Sequence, residues 1–335
     1  MAMRVAVIGA GSWGTTVATL AARNTPTVLW ARREELAAEI DRDHVNSAYL
    51  PGVELPPRLE ATSSVAQAIA DADVVVMAVP SHGFRDVLTD VAVQVRPWVP
   101  VISLSKGFEQ GTRLRMTEIV NELMPGHPAG VLTGPNLAKE VVAGQPAGAV
   151  LAMADERIAE ALQPLFGTDS FRIYTNPDIV GCEVAGALKN VMAIAAGMID
   201  GMGFGDNTRA TLMTRGLAEL TRLGVALGGE PLTFSGLAGM GDLVATCSST
   251  QSRNHHVGEQ LGLGRSVEQI IDEMNMVAEG VKSSKVVCEL AEELGVEMPI
   301  AEQVEAVCHR GRSAAEALTL LMQRQSGAEM HGLDG

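Results

Sequence analysis

Apolar positions along the chain follow two rhythms. In the first half, short apolar runs alternate with helical stretches. "RVAVIG" (4–9), "TVLWA" (27–31), "DVVVMAV" (73–79) and "PVISLS" (100–105) are followed by "GVLTG" and "AGAVLAM". These runs are apolar at nearly every position, the mark of strands in a parallel sheet covered on both faces. Ser12–Arg23, Ser64–Ala70 and Thr112–Leu123 carry helical spacing between them. From about Asp178 the strand signal stops, and helical periodicity continues between glycine-rich turns. The pattern predicts a doubly wound α/β domain over residues 1–178 and an all-helical domain over 179–330. No internal repeat is visible.

One helical stretch carries a conspicuous charge. In "VAGALKNVMAIAAGMIDGM" (184–202), Val184, Leu188, Val191, Ala195, Met198 and Met202 recur at steps of three and four. They predict one bulky face. Lys189 points elsewhere, toward Gly186, Ala193, Ala196, Gly197 and, three turns on, Asp200. Two readings fit: a structural lysine that meets a carboxylate or reaches water, and an ammonium desolvated for chemistry.

Bulk properties narrow the function class. The 335 residues, 47% hydrophobic, suffice for one or two packed cores. Lys189 and Asp200 interrupt the best candidate for a membrane span, so none is expected. The opening "MAMRVAVIGAGSWG" has no signal-peptide cleavage region and reads directly as a strand, which predicts a cytoplasmic protein. The four cysteines, Cys182, Cys247, Cys288 and Cys308, have no metal-ligand spacing and read as reduced thiols. His255 and His256 are adjacent, so on a helix their rings diverge and a shared metal is not expected. A net charge of −15 argues against nucleic acid or anionic membrane as partner. An anionic substrate would need a locally basic pocket.

"VIGAGSWG" sets Gly9, Gly11 and Gly14 in the G-x-G-x-x-G pattern, closing the first strand and opening the first helix. That is the context a Rossmann-type dinucleotide fingerprint requires. The first glycine allows the tight turn, the second admits the pyrophosphate, and the third lets helix and strand pack. After the second strand, "LWARREE" puts Arg32 and Arg33 where an NAD-preferring fold carries an acid. Guanidinium groups suit a 2′-phosphate, so NADP is favoured, with NAD as a second carrier. The other reading makes both arginines the exposed start of the next helix.

Further polar groups follow the later strands. Lys106 in "SLSKGFE" is placed to reach an anion or a carbonyl oxygen. In "LTGPNLAKE", Gly134 ends a strand and Asn136 is positioned to cap the next helix. "GLAGMGDLVATCSSTQSRNHH" carries Asp242 after three glycines, then Ser252, Arg253 and Asn254 before a helix, a combination suited to phosphate. Glu279 precedes Gly280 in "NMVAEGVKSS".

With these stretches in hand, the chain resembles the NAD(P)-dependent glycerol-3-phosphate dehydrogenases from Arg4 to about Leu320. The stretches that carry the likeness are "GAGSWGT", "SLSKGFE", "TGPNLAKEV", "GALKNVMAIAAGMIDG", "FSGLAGMGDLVATC", "SRN" and "AEGVKS". The resemblance implies reversible reduction of dihydroxyacetone phosphate to sn-glycerol 3-phosphate by NAD(P)H, supplying phospholipid synthesis. It implies cofactor contacts at Ser12, Trp13, Arg32, Arg33, Ala138, Val277 and Glu279. Substrate contacts fall at Lys106, Gly134, Asn136, Asp242, Ser252, Arg253 and Asn254, with Lys106 and Arg253 also near the cofactor. Lys189 matches the catalytic lysine. Many bacterial members have Ser-Phe where this chain has Asn136-Leu137, a departure that bears on the role of that side chain. A homodimer is the expected assembly.

The chemistry points the same way. The C2 hydroxyl loses a proton as hydride leaves C2, so a nearby group must accept that proton. An ordinary ammonium, with pKa about 10.4, is a poor acceptor near neutrality and needs a poorly solvated site or cationic neighbours. Two other dehydrogenase types, the β-hydroxyacid dehydrogenases and ketopantoate reductase, combine a similar fingerprint, helical domain and lysine. The basic Ser252–Asn254 segment favours a phosphorylated substrate over theirs. A nicotinamide-binding sensor without turnover would not need Lys189 and Asp242 together.

Overall fold

The computed structural model describes residues 2–274 and 278–325. The chain divides after Ile179 into two compact units.

Among the described residues, the first unit carries ten strands: β1 (Val5–Ile8), β2 (Thr27–Trp30), β3 (Val45–Asn46), β4 (Leu50–Glu54), β5 (Leu59–Thr62), β6 (Val74–Met77), β7 (Val101–Ser103), β8 (Ala129–Thr133), β9 (Ala147–Met153) and β10 (Phe171–Asn176). Its helices are α1 (Ser12–Asn24), α2 (Glu34–Asp43), α3 (Val65–Ile69), α4 (Phe84–Ala92), α5 (Met116–Leu123), α6 (Ala138–Val142) and α7 (Glu156–Phe166). Eight strands form one sheet in the order β10-β9-β8-β7-β6-β1-β2-β5, and β3 pairs with β4 apart from it.

The strands alternate their side chains between two cores. Val5, Val7, Leu29, Val74 and Val76 share one cluster with α1 and α7. Ala6, Ile8, Val28, Val75 and Met77 join α3, α4 and α5 on the other face. Burial on both faces is why these runs are apolar throughout.

The sheet departs from the fully parallel expectation at one seam, because β9 runs antiparallel to β8. The chain between them carries only the short α6, and it returns beside β8 instead of crossing the sheet. The helix expected over Thr112–Leu123 begins at Met116. Gly111 and Arg113 have φ of 88° and 63°, left-handed values that keep the preceding stretch a loop.

The second unit is helical: α8 (Ile179–Gly201), α9 (Asp206–Ala226), α10 (Pro231–Phe234), α11 (Asp242–Ser248), α12 (Arg253–Gly262), α13 (Val267–Glu273), α14 (Glu279–Leu294), α15 (Pro299–His309) and α16 (Ala314–Met322). Every residue of α8 from Gly181 to Ile199 is buried. The single bulky face predicted for it is therefore one side of a helix packed all round. Among the described residues, α8 is long and apolar enough to cross a bilayer, but 89% of its most apolar window lies inside the protein.

Helices α8 and α12 meet backbone to backbone. A Cβ at Gly197 would stand 2.0 Å from the His255 carbonyl oxygen, and one at Gly201 would stand 2.2 Å from that of Glu259. In return, a Cβ at Gly258 would stand 2.0 Å from the Ile194 oxygen and one at Gly262 would stand 2.4 Å from that of Met198. Two glycines per helix, four residues apart, remove the side chains that would hold the axes apart.

Candidate active site

In the first unit, the three fingerprint glycines have different surroundings. Gly9 has φ 123°, and a Cβ there would lie 2.5 Å from the Ala78 oxygen. A Cβ on Gly14 would lie 2.1 Å from the Gly9 oxygen. Gly11 faces open space, with no atom within 4 Å of its would-be Cβ. Gly11 is also the cap residue of α1 and contributes no side-chain acceptor. The first N–H groups of α1 therefore point at an approachable surface, which suits a pyrophosphate. Beside them, the Trp13 indole N–H is buried and has no partner among the described residues. These groups fit a dinucleotide.

A brace that the sequence reading did not name supports this turn. The Asn46 amide donates to the Ala10 oxygen at 3.0 Å and to Thr15 Oγ1 at 2.8 Å. The Ser12 hydroxyl donates to the Tyr49 oxygen at 2.9 Å. Both partners belong to the β3–β4 hairpin. Arg32 and Arg33 follow β2 and are exposed, and Arg33 is the cap residue of α2. They do stand at the start of a helix, at the sheet edge where a ribose binds in this fold class.

Lys106 and Gly134 come together. The Lys106 ammonium donates to the Gly134 oxygen at 2.9 Å, and Gly134 has φ 139°. The neighbouring Ser105 hydroxyl donates to the Val79 oxygen at 2.5 Å. Asn136 does not cap a helix. Helix α6 begins two residues later, after Leu137, without a side-chain cap. Both amide atoms of Asn136 are instead buried without a partner among the described residues. Leaving both atoms unpaired is costly, so the side chain suits a polar ligand. Ala138 opens α6, and its oxygen accepts from Thr16 Oγ1 at 3.4 Å.

In the second unit, Lys189 is only 5% exposed and Asp242 only 2%. The ammonium lies 3.2 Å from Asp242 Oδ1. It donates to Thr246 Oγ1 at 2.7 Å and to Asn190 Oδ1 at 3.3 Å. Thr246 donates in turn to Asp242 Oδ1 at 3.1 Å. The two sequence readings of Lys189 thus coexist: it is buried among apolar neighbours and it is paired. Thr246 was not anticipated, although its place one turn after Asp242 on α11 is the available signal. Burial pushes the neighbouring Cys247 thiol up to about 12, so it is inert beside this pair.

The Ser252–Asn254 segment opens α12. Ser252 is its N-cap, accepting from the His255 N–H at 3.3 Å. Arg253 is exposed in the first turn. Asn254 is buried, its amide donating to Asn190 Oδ1 at 3.0 Å and its oxygen accepting the Gly280 N–H at 2.9 Å. The Asn254 side chain therefore ties α12 to α8 and α14. Asp200 meets His255 Nε2 at 2.8 Å and Arg209 at 2.7 Å. Burial pushes its carboxyl up, but those two hydrogen bonds outweigh burial and hold it below the usual range. His256 turns the other way, toward Glu259. Glu279 is the first residue of α14. Val277 lies outside the described residues.

A family profile described as NAD-dependent glycerol-3-phosphate dehydrogenase N-terminus matches residues 4–159, and its C-terminus counterpart matches residues 178–319. A protein of Sphingopyxis alaskensis named glycerol-3-phosphate dehydrogenase [NAD(P)+] 2 is 58% identical over 331 residues, covering 99% of each chain. One of Mycobacterium avium, named glycerol-3-phosphate dehydrogenase [NAD(P)+], is 55% identical over 98% of this chain and 97% of its own. The crystal structure of glycerol-3-phosphate dehydrogenase from Coxiella burnetii superposes with a TM-score of 0.92 at 34% identity, covering 96% of this chain and 99% of that one.

Proposed function

The chain belongs to the NAD-dependent glycerol-3-phosphate dehydrogenase family, and from that premise we propose that Lys189 moves the proton in an interconversion of dihydroxyacetone phosphate and sn-glycerol 3-phosphate. The enzyme is an NAD(P)-dependent oxidoreductase. The observation that carries the assignment is the buried Lys189 ammonium with the Asp242 carboxylate beside it.

When bound, the nicotinamide supplies or accepts the hydride at C2. In reduction, Lys189 Nζ gives a proton to the C2 oxygen, and in oxidation it takes one back. Asp242 and Thr246 fix the direction in which that ammonium points. Lys106, steadied by the Gly134 oxygen, and Asn136, with its unspent amide, orient the polar end of the substrate. Arg253 and the N–H groups at the start of α12 suit the phosphate dianion, with Ser252 shaping the turn. Asn254 contributes by holding that turn in place. Gly9, Gly11, Ser12, Trp13 and Gly14 receive the dinucleotide, with Ala138, Glu279 and Val277 completing the assignment by family likeness.

Arg32 and Arg33 support NADP(H) over NAD(H). That preference supports the reducing direction and supply of glycerol phosphate for phospholipids. The phosphate-suited start of α12 and the family match set aside β-hydroxyacid and ketopantoate substrates. A cytoplasmic location and a homodimer accompany this reading; a monomer mass in light scattering would remove the dimer. The primary test follows reduced-nicotinamide absorbance with dihydroxyacetone phosphate. Consumption with both carriers, faster at low NADPH, is expected. Consumption with NADH alone would return Arg32 and Arg33 to the status of surface charges. Consumption with neither would overturn the assignment.

A further inference from the structure

The β3–β4 hairpin does more than brace the phosphate turn. The Arg33 guanidinium carbon stands 5.7 Å from the centroid of the Tyr49 ring. A planar guanidinium over an aromatic face is attracted to the ring while its N–H groups stay available in plane. The same residue's carbonyl oxygen accepts the Ser12 hydroxyl, and its N–H donates to Asn46 Oδ1 at 3.1 Å. Asn46 in turn holds Ala10 and Thr15. A chain of direct contacts therefore links the phosphate turn to Arg33 through Tyr49. Arg33 is otherwise exposed, and an unrestrained arginine loses rotamer freedom when it engages a ligand.

We infer that Tyr49 is a specificity-determining residue: its ring holds Arg33 ready for the 2′-phosphate of the dinucleotide. The inference rests on the preceding reading of Arg32 and Arg33. Arg33 makes the contact with the phosphate, and Tyr49 lowers the cost of making it. Tyr49 therefore acts on the 2′-phosphate alone, and the remainder of the nucleotide does not sense its ring. The ring face is what matters, so phenylalanine serves as well as tyrosine.

Calorimetric titration of the full chain with 2′,5′-ADP and with 5′-AMP tests this without turnover. The wild type is expected to bind 2′,5′-ADP at least about tenfold more tightly, through charge-assisted contacts. Tyr49→Ala should weaken 2′,5′-ADP about two- to fivefold, the size of an exposed cation–π contact, and leave 5′-AMP unchanged. Tyr49→Phe should bind both as the wild type does. In an Arg33→Ala background, Tyr49→Ala should cost nothing more, because its partner is gone. Equal loss for both nucleotides would make Tyr49 only a brace for the turn, and no loss for either would make the ring idle. Either result overturns the inference while leaving the NADP reading intact. A wild type without preference between the two nucleotides would overturn that reading, and the inference with it.

Discussion

The two units handle buried polarity in opposite ways. In the first, several buried polar atoms are left unspent: the Trp13 indole N–H, both amide atoms of Asn136 and the Thr133 hydroxyl have no partner among the described residues. In the second, Lys189, Asp242, Thr246, Asn190, Asn254 and Gly280 form a linked network. An unpaired buried polar group costs free energy that a ligand can recover, so the first arrangement favours binding. A paired buried charge is held in one orientation by its partners. On the proposed assignment, the unpaired groups would wait for a ligand, while Lys189 would already be positioned before the substrate arrives.

The largest expected effect tests the second half of that contrast. Lys189→Ala should lower kcat by about a hundredfold or more, the range of lost acid–base catalysis. Retention of more than about a tenth of the rate would show that the buried ammonium is structural. Asp242→Ala leaves that ammonium buried and unpaired, so it should also lower stability, by about 3–5 kcal/mol in denaturant melts.

The next effect separates fold from binding within one motif. Gly14→Ala should destabilise by about 1–3 kcal/mol or more, because its Cβ would collide with the Gly9 oxygen. Gly11 has φ −71° and open space before it, so Gly11→Ala should leave Tm within about 2 °C of the wild type. Its KM for NADPH should nevertheless rise severalfold. An unchanged KM would mean that the pyrophosphate does not approach Gly11.

The smallest effect concerns Glu219, another internally paired group of the helical unit. Its carboxylate accepts the N–H groups of Ile300 and Ala301 at 2.8 and 3.2 Å, at the start of α15. Burial pushes it up to about 7 despite those bonds, from an ordinary 4.5. The folded chain therefore holds an extra proton between those values. The contribution to stability is full below 4.5 and is lost as pH rises through 7. Tm of the wild type should fall by a few degrees across that window relative to Glu219→Gln. Parallel Tm curves for the two proteins would assign Glu219 no part in the pH response.

What could be read from the sequence follows the same division. The glycine fingerprint, its strand and its helix were legible because local backbone geometry dictates them. Lys189 was legible as an anomaly in an apolar helix. Its dependence on Thr246 was not, since that contact joins residues far apart in the chain. The β3–β4 hairpin was hidden because "LPGVE" is short, exposed and carries proline and glycine, which weaken any strand signal. Asn136 was misread as a cap because its type suits one, and only the observed start of α6 at Ala138 corrects that. The antiparallel seam at β8 and β9 escaped because apolar runs do not encode direction.

The contact between α8 and α12 bears on precision. Thermal motion in most helix pairs is cushioned by side chains that can change rotamer, so the axes slide and rock. Here Gly197, Gly201, Gly258 and Gly262 bring main chain against main chain, where no rotamer exists to change. Lys189 rides on one of these helices, and the turn from Ser252 to Asn254 opens the other. The spacing between the Lys189 backbone and the Ser252–Asn254 turn is thus set by direct contact of two main chains, as in a gauge block. It should vary little with temperature while the second unit remains folded.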